Sequence, residues 1–248
     1  MDLIVLGAGP AYTDKMGAIG ASYLLRDGEE ALLVDMGQGS FPSLANQLEP
    51  SALSGVLISH LHPDHFIDLV ALRHYLRFQF KPPRRVTTYG PADLATRLDA
   101  LHAEPGFAIE TFDHVPFGGS GRRQIGPFAV EAILVTHTAE SYGYRVTGRS
   151  GSPIVYSGDC GRAADLAPLI QPGDALLTEV SFGPGPVPPG AQHLDAPAVG
   201  ALAASRQPGR VLLTHLQMGY DPDATVAGVR ALYGGPVELV KPGDRFSF

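Results

Sequence analysis

Four short runs in this chain each stop where side chains that bind metal ions begin. GVLIS (55–59) leads straight into HLHPDH, FAVEAILVTH (128–137) ends in His137, PIVYSGD (153–159) in Asp159, and RVLLTH (210–215) in His215. Continuous apolar runs of this length mark strands covered on both faces, and alternating ones mark strands covered on one. Strands of one sheet lie side by side, so groups at their ends converge at one edge. The chain can satisfy this pattern only by folding residues near 60 against residues near 215.

The remaining segments supply the scaffold for such a sheet edge. LIVLG (3–7), ASYLLR (21–26), ALLVD (31–35), YGYRVT (142–147), DALLTEV (174–180), VELV and RFSF read as further strands. FIDLVALRHYLRF (66–78) reads as a helix with Leu69, Leu72 and Leu76 on one face and Arg73 and Arg77 on another. PADLATRLDALHA (91–103), LDAPAVGALAAS (194–205) and DATVAGVRALY (223–233) are helical as well. The Pro/Gly-rich FGPGPVPPG (182–190) is a loop beside the cleft, because regular patterns resume at once. Both halves run from strands to helices, which predicts an α/β arrangement of two packed sheets with helices outside, in a single domain over 1–248.

Composition narrows the partners. Of 248 residues, 44% are hydrophobic and 17% charged, which suits a packed core rather than a disordered chain. The 18 Lys and Arg against 25 Asp and Glu give a formal net charge of −7, with no general attraction for nucleic acid or anionic lipid. Cys160 is the single cysteine, which rules out an internal disulfide and a cysteine-rich zinc ribbon. The N-terminal MDLIVLGAG has neither a basic segment nor a long apolar core, and no apolar run approaches the ~20 residues of a membrane span. A soluble, cytoplasmic protein is expected.

The spacing inside SHLHPDH (59–65) is chemically specific. His60 and His62 are two apart on an extended segment, so they point to the same side. Pro63 keeps His62 extended and presets a turn, and Asp64 and His65 then open a helix facing back to the same point. Together with His137, Asp159 and His215, the chain offers five histidines and two aspartates, enough for two metal ions sharing a bridging carboxylate. Asp35, ending ALLVD, either hydrogen-bonds one of these histidines or caps a turn. His74, His102 and His114 fall on predicted helices or a loop and receive no role. Cys160 is expected to be buried and turned away. The glycines of LGAGP complete neither G-x-G-x-x-G nor a Walker spacing and read as a backbone turn near the cleft.

Over nearly its whole length this order of residues resembles the metallo-β-lactamase superfamily: SHLHPDH matches its HxHxDH signature, and VTH, YSGD and LLTH its later ligands. The resemblance implies a four-layer αββα sandwich of two mixed β-sheets with helices on the outer faces. It implies that His60, His62 and His137 hold one divalent ion and Asp64, His65 and His215 a second, with Asp159 bridging. Zinc suits the imidazole and carboxylate set, with manganese or iron as alternatives.

THTAESYGYRV (136–146), YSGDC (156–160) and LLTEVSF (176–182) resemble, more narrowly, ribonuclease Z and related phosphodiesterases. In that branch a glutamate, here Glu179, partners a histidine, here His193. Thr178 departs from the pattern, since ribonuclease Z has a histidine there. Only 21 residues separate His137 from Asp159, too few for the long arm with which ribonuclease Z grips transfer RNA. The resemblance thus implies a dinuclear phosphodiesterase for small substrates, cyclic nucleotides or other cyclic phosphates foremost, rather than a tRNA 3′-processing enzyme. A shared water deprotonated between the ions would attack phosphorus in line. Asp64 would orient it, His193 would donate a proton or hydrogen bond, and Glu179 would hold the imidazole. The alternatives are a lactonase, thioesterase or arylsulfatase-like hydrolase, or a non-catalytic metal-binding homologue. Homodimers are common in this branch, and the walls of the pocket are expected from loops 9–20, 77–86 and 182–192.

Overall fold

Each apolar strand has two faces, and in this protein both are buried. The computed structural model describes residues 1–248. In β1 (Asp2–Gly7), Leu3 and Val5 point into one core while Ile4 and Leu6 point into another. This is the period-two alternation of a strand sandwiched on both sides. Five strands follow in the same sheet: β2 (Ser22–Asp27), β3 (Glu30–Val34), β4 (Gly55–Leu57), β5 (Val86–Gly90) and β6 (Phe112–Pro116). The second sheet contains β7 (Gly121–Ile125), β8 (Phe128–Leu134), β9 (Tyr142–Thr147), β10 (Ile154–Tyr156), β11 (Ala175–Glu179), β12 (Arg210–Thr214) and β13 (Val237–Leu239). The last strand, β14 (Arg245–Ser247), returns to pair with β1.

The two seven-stranded sheets share one plan. In the first, β1 to β3 are antiparallel and β3 to β6 parallel. In the second, β7 to β10 are antiparallel and β10 to β13 parallel. Both are mixed sheets. Between them lies a core that includes Tyr23, Leu32, Leu57, Tyr144, Tyr156, Leu177 and Leu212. Its tyrosines bury their rings but keep a partner for each hydroxyl. Tyr144 donates to Ile58 O at 2.7 Å, Tyr156 to Asp35 Oδ2 at 2.7 Å, and Tyr23 shares a 2.6 Å hydrogen bond with Thr214 Oγ1.

Helices close the outer faces. On the first sheet, α1 (Ser40–Ala45), α2 (Pro63–Phe66), α3 (Leu69–Phe78) and α4 (Leu94–His102) bury Leu44, Phe66, Leu69, Leu72, Leu76, Leu94 and Leu98. On the second, α5 (Ala163–Leu166), α6 (Ala196–Arg206) and α7 (Pro222–Arg230) bury Leu166, Val199, Leu202 and Val229. The result is the four-layer αββα sandwich. No helix is long and apolar enough to cross a membrane.

Several local expectations need correction. The helix expected over 66–78 is interrupted at Ile67 and Asp68. There the Asp68 N–H donates to Met36 O (3.0 Å) and its carboxylate accepts the Phe41 N–H (2.8 Å), so these groups serve the neighbouring turn instead of the helix. Arg73 lies off the leucine face as expected and is nonetheless buried, 4% accessible; its Nε donates to Phe107 O at 3.1 Å and its guanidinium pairs with Glu110. VELV and RFSF join different sheets. His114 sits in β6, where it hydrogen-bonds Thr88 Oγ1 and Pro91 O. Strands β5, β6 and β7 have no counterpart among the expected elements, because their sequences lack an apolar run.

Candidate metal centre

The histidine cluster is aimed by its backbone. Past β4 the chain stays extended through His62 (φ −80°, ψ 140°), and Pro63 then starts the single turn of α2, which brings Asp64 and His65 back toward His60. That turn packs tightly on the loop after β3: the Met36 N–H donates to His65 O at 2.7 Å. A Cβ at Gly37 would lie 1.9 Å from Asp64 O and 2.8 Å from Ala21 N, so only glycine fits. From the second sheet come His137, three residues past β8; Asp159, three past β10; and His215, immediately after β12. Asp35 (φ 56°) and His215 (φ 59°) both hold the left-handed conformation, a local strain that the surrounding contacts must impose.

All seven side chains meet in two adjoining groups. One comprises His60, His62, His137 and Asp159, the other Asp64, His65 and His215. Asp159 lies between them and divides its oxygens. Its Oδ2 is 3.7 Å from His60 Nε2 and 3.5 Å from His137 Nε2, whereas Oδ1 is 3.3 Å from His65 Nε2 and 3.7 Å from His215 Nε2. Within the first group His137 Nε2 is 3.1 Å from His62 Nδ1; within the second, His215 Nε2 is 3.1 Å from Asp64 Oδ2 and 3.3 Å from His65 Nε2.

Hydrogen bonds at the far ring nitrogens fix which lone pairs face inward. His65 Nδ1 donates to Asp35 Oδ2 (2.8 Å) and His137 Nδ1 to Gln192 O (2.8 Å). His60 Nδ1 donates to Ser59 Oγ (3.1 Å), which itself donates to Asp35 Oδ2 (2.7 Å). His215 Nδ1 donates to Ser181 Oγ (3.0 Å), which donates to Glu179 Oε2 (2.5 Å). Each assignment follows from a partner with no proton left to give. Four Nε2 atoms and the oxygens of two carboxylates therefore converge, and either protons on the rings or cations among them must balance the charge.

The donors fit a metal. His60 Nε2 and Asp159 Oδ1 are buried with no hydrogen-bond partner, a costly condition that coordination relieves. Ligands ~2.0–2.1 Å from a tetrahedral ion stand roughly 3.3–3.4 Å apart, which matches the 3.1 and 3.3 Å separations above. Second partners at the Nδ1 atoms are the usual way of orienting ligand histidines. Crowding also shows in protonation. Burial, aided by nearby His65, holds His60 well below its ordinary value. For His65 burial pulls down, but Asp159 and Asp35 outweigh it and hold the ring well above. His215 is likewise raised by Asp159 and Asp64 against the effect of burial. Asp159, despite burial, is held well below the usual carboxylate range by His215 and His65.

Glu179 and His193 stand beside the second group. The buried Glu179 carboxylate accepts from the N–H groups of Cys160 (2.7 Å), Ser181 (3.2 Å) and Leu194 (3.3 Å), and from His193 Nδ1 at 3.0 Å. Burial lowers His193, but its bond to Glu179 and the charges of Glu179 and Asp159 raise it above its ordinary value. Of the two roles open to Asp35, the hydrogen bond to a histidine is realised. Thr178 is buried and its hydroxyl bonds only to Glu179 O. Cys160 is buried, its thiol pushed up to about 12 by burial.

A cavity of about 190 Å3 opens over this centre, lined by Pro10, Tyr12, Asp64, Asp159, His193 and His215 among others. Loop 9–20 lines it as expected. Loops 77–86 and 182–192 do not, and Gln217 takes a place no sequence pattern pointed to. Of the relay hydroxyls, Ser59 borders a ligand in the sequence but reads there as an ordinary strand residue, and Ser181 carries no signal, since a serine at a strand end has no distinctive spacing. Between His137 and Asp159 the chain forms only β9, β10 and their turns, with no protruding arm.

Residues 32–216 match the family model described as the Beta-lactamase superfamily domain. Uncharacterized protein ML1173 of Mycobacterium leprae (strain TN) is 31% identical over 259 residues, covering 97% of this chain and 91% of that protein. Two solved structures share the fold end to end. The metallo-beta-lactamase fold protein YhfI from Bacillus subtilis superposes with TM-score 0.88 at 23% identity, covering 100% of this chain and 99% of that one. Human tRNase Z, short form, superposes with TM-score 0.76 at 22% identity, with the same coverage of 100% and 99%.

Proposed function

This chain belongs to the beta-lactamase superfamily, and from that premise we propose that it is a metallo-hydrolase that cleaves small phosphodiesters at a centre of two divalent ions. The observation that carries the reading is Asp159, whose two oxygens turn to two separate groups of inward-facing imidazoles. His60, His62 and His137 would hold one ion, Asp64, His65 and His215 the other, and zinc would suit this donor set best. When bound, such a pair polarises phosphoryl oxygens and lowers the pKa of water.

The protein's own groups perform the remaining tasks. Asp64, on the cavity wall, orients the attacking water. His193 holds a proton for the leaving oxygen, and Glu179 fixes its ring by accepting the Nδ1 proton. A raised His193 keeps that proton available near neutral pH. The Glu179–His193 pair supplies a proton donor for a leaving alkoxide, which suits a phosphodiester; a lactone expels the same kind of group, so the substrate panel separates the two. Cavity size and the lack of an arm between His137 and Asp159 favour small diesters, cyclic nucleotides or other cyclic phosphates among them, over transfer RNA.

The test couples metal analysis to turnover. Purified protein should carry two equivalents of a divalent metal and hydrolyse bis-p-nitrophenyl phosphate, in preference to a lactone and a thioester panel. Turnover on lactones or thioesters alone would replace the phosphodiesterase reading, and a protein that takes up no metal would end it.

A further inference from the structure

The cavity over the imidazole–carboxylate centre has one wall that the chemistry so far leaves unused. Tyr12 lines it together with Asp64, Asp159, His193 and His215, and is 63% exposed. Large aromatic side chains left this open are few in the protein, and this one stands at the mouth of the candidate active site. Its loop is not a loose one at the base. The Gly9 N–H donates to Ile19 O at 2.8 Å, Gly9 bridges Gly20, and Gln38 Nε2 donates to Pro10 O at 3.4 Å. A Cβ at Gly9 would come within 2.8 Å of Ile19 O, so the neck depends on glycine for its closeness. The ring is thus presented from a fixed stem, and a tyrosine loses little freedom when a ligand settles on it.

Gln217 lines the same cavity from the segment after β12. Its backbone N–H donates to Ser181 O at 3.2 Å, which ties the residue to the Glu179 loop and leaves the side-chain amide for a ligand. A primary amide both donates and accepts, and so matches the N6/N7 edge of adenine. An exposed aromatic face suits any planar base.

We propose that Tyr12 and Gln217 form a nucleobase subsite, in which the base of a nucleotide stacks on Tyr12 and presents its edge to Gln217 while the phosphate lies at the imidazole–carboxylate centre. The proposal rests on the phosphodiesterase reading for the position of the phosphate, and it narrows the substrate class to nucleotides. Tyr12 touches the part of the substrate that does not react, so it sets affinity and selection rather than the chemical step.

The experiment compares two probes that differ only in the base. Calorimetric titration of the metal-loaded protein with AMP and with ribose 5-phosphate should show AMP binding roughly 5- to 150-fold tighter, the range for one stacked base. Tyr12→Ala should remove most of that preference and Tyr12→Phe should keep it. Gln217→Ala should weaken AMP and leave ribose 5-phosphate unchanged, with equal metal content in every variant. Equal binding of the two probes by the wild-type protein, or a preference that survives Tyr12→Ala, would overturn the subsite. Hydrolysis of bis-p-nitrophenyl phosphate reports on the underlying reading separately. A base preference without diester turnover would leave the subsite standing and remove the phosphodiesterase, and turnover without a base preference would do the reverse.

Discussion

At the scale of single residues, the centre is organised by what stands behind the histidines. Asp35 is fully buried and accepts from the Ser59 N–H, the Ser59 and Tyr156 hydroxyls and His65 Nδ1. Asp35→Asn keeps the shape and tolerates the positive φ but turns an amide NH2 toward donors. Metal affinity, read by chelator competition, should fall about 10- to 100-fold; an unchanged affinity would reduce Asp35 to a turn residue. His193 offers a cleaner test of catalysis than Glu179 does. His193→Ala should cut kcat on bis-p-nitrophenyl phosphate by about 10²- to 10⁴-fold with metal content unchanged. Glu179→Gln would also disturb three backbone N–H groups, so it should lower Tm along with activity, which thermal unfolding would separate. His60, His62, Asp64, His65, His137, Asp159 and His215 could be picked out as candidates because each lies on or just past the segment that follows an apolar strand, His215 at once and His60, His137 and Asp159 three residues on. Ser59 and Ser181 could not, since a hydroxyl takes on a role only through partners distant in sequence.

Elements explain which parts of the scaffold could be read and which could not. Strands β4, β10, β11 and β12 announce themselves because both faces are buried, leaving nearly uninterrupted aliphatic runs. β6 and β7 form the outer edges of their sheets, and the three residues Arg122, Arg123 and Gln124 of β7 are exposed. Edge strands of this kind follow no hydrophobic rule and resist pairing with other chains. The turn of α2 poses a sharper constraint. It rests on Gly37 so closely that Gly37→Ala must push Asp64 and His65 away from the centre, since the clash is with backbone. Expected outcomes are a lower Tm and loss of metal from the half that Asp64, His65 and His215 form, measured by metal analysis. Full loading in a stable variant would show that the turn can shift freely.

On the scale of the whole molecule, the centre joins the two sheets. His60, His62, Asp64 and His65 extend from the first, and His137, Asp159 and His215 from the second. Ions bound to the folded state alone should therefore stabilise the sandwich. At a free concentration a thousand times Kd the gain is about 4 kcal/mol per site, so removal by a chelator should lower Tm by on the order of 10 °C, and zinc should restore it. An unchanged Tm would show that the sheets do not need the centre. The benefit should shrink in acid. His65 and His215 sit above their ordinary value of 6.5, so in the metal-free protein they keep protons that a metal must displace. Their contribution to the metal-free fold is fully present below that value and is lost as pH rises through the raised one. The Tm gap between loaded and stripped protein should thus start to narrow as pH falls through the raised values of His65 and His215 and go on narrowing below 6.5, a trend calorimetry across pH would reveal.

The division of the seven side chains between two sheets also bears on how the protein is made. A growing polypeptide that has left the ribosome as far as β9 already carries His60, His62, Asp64, His65 and His137, but it lacks Asp159, the carboxylate between the two groups, and His215. The seven-residue centre is therefore complete only once His215 has emerged and the second sheet closes on the first.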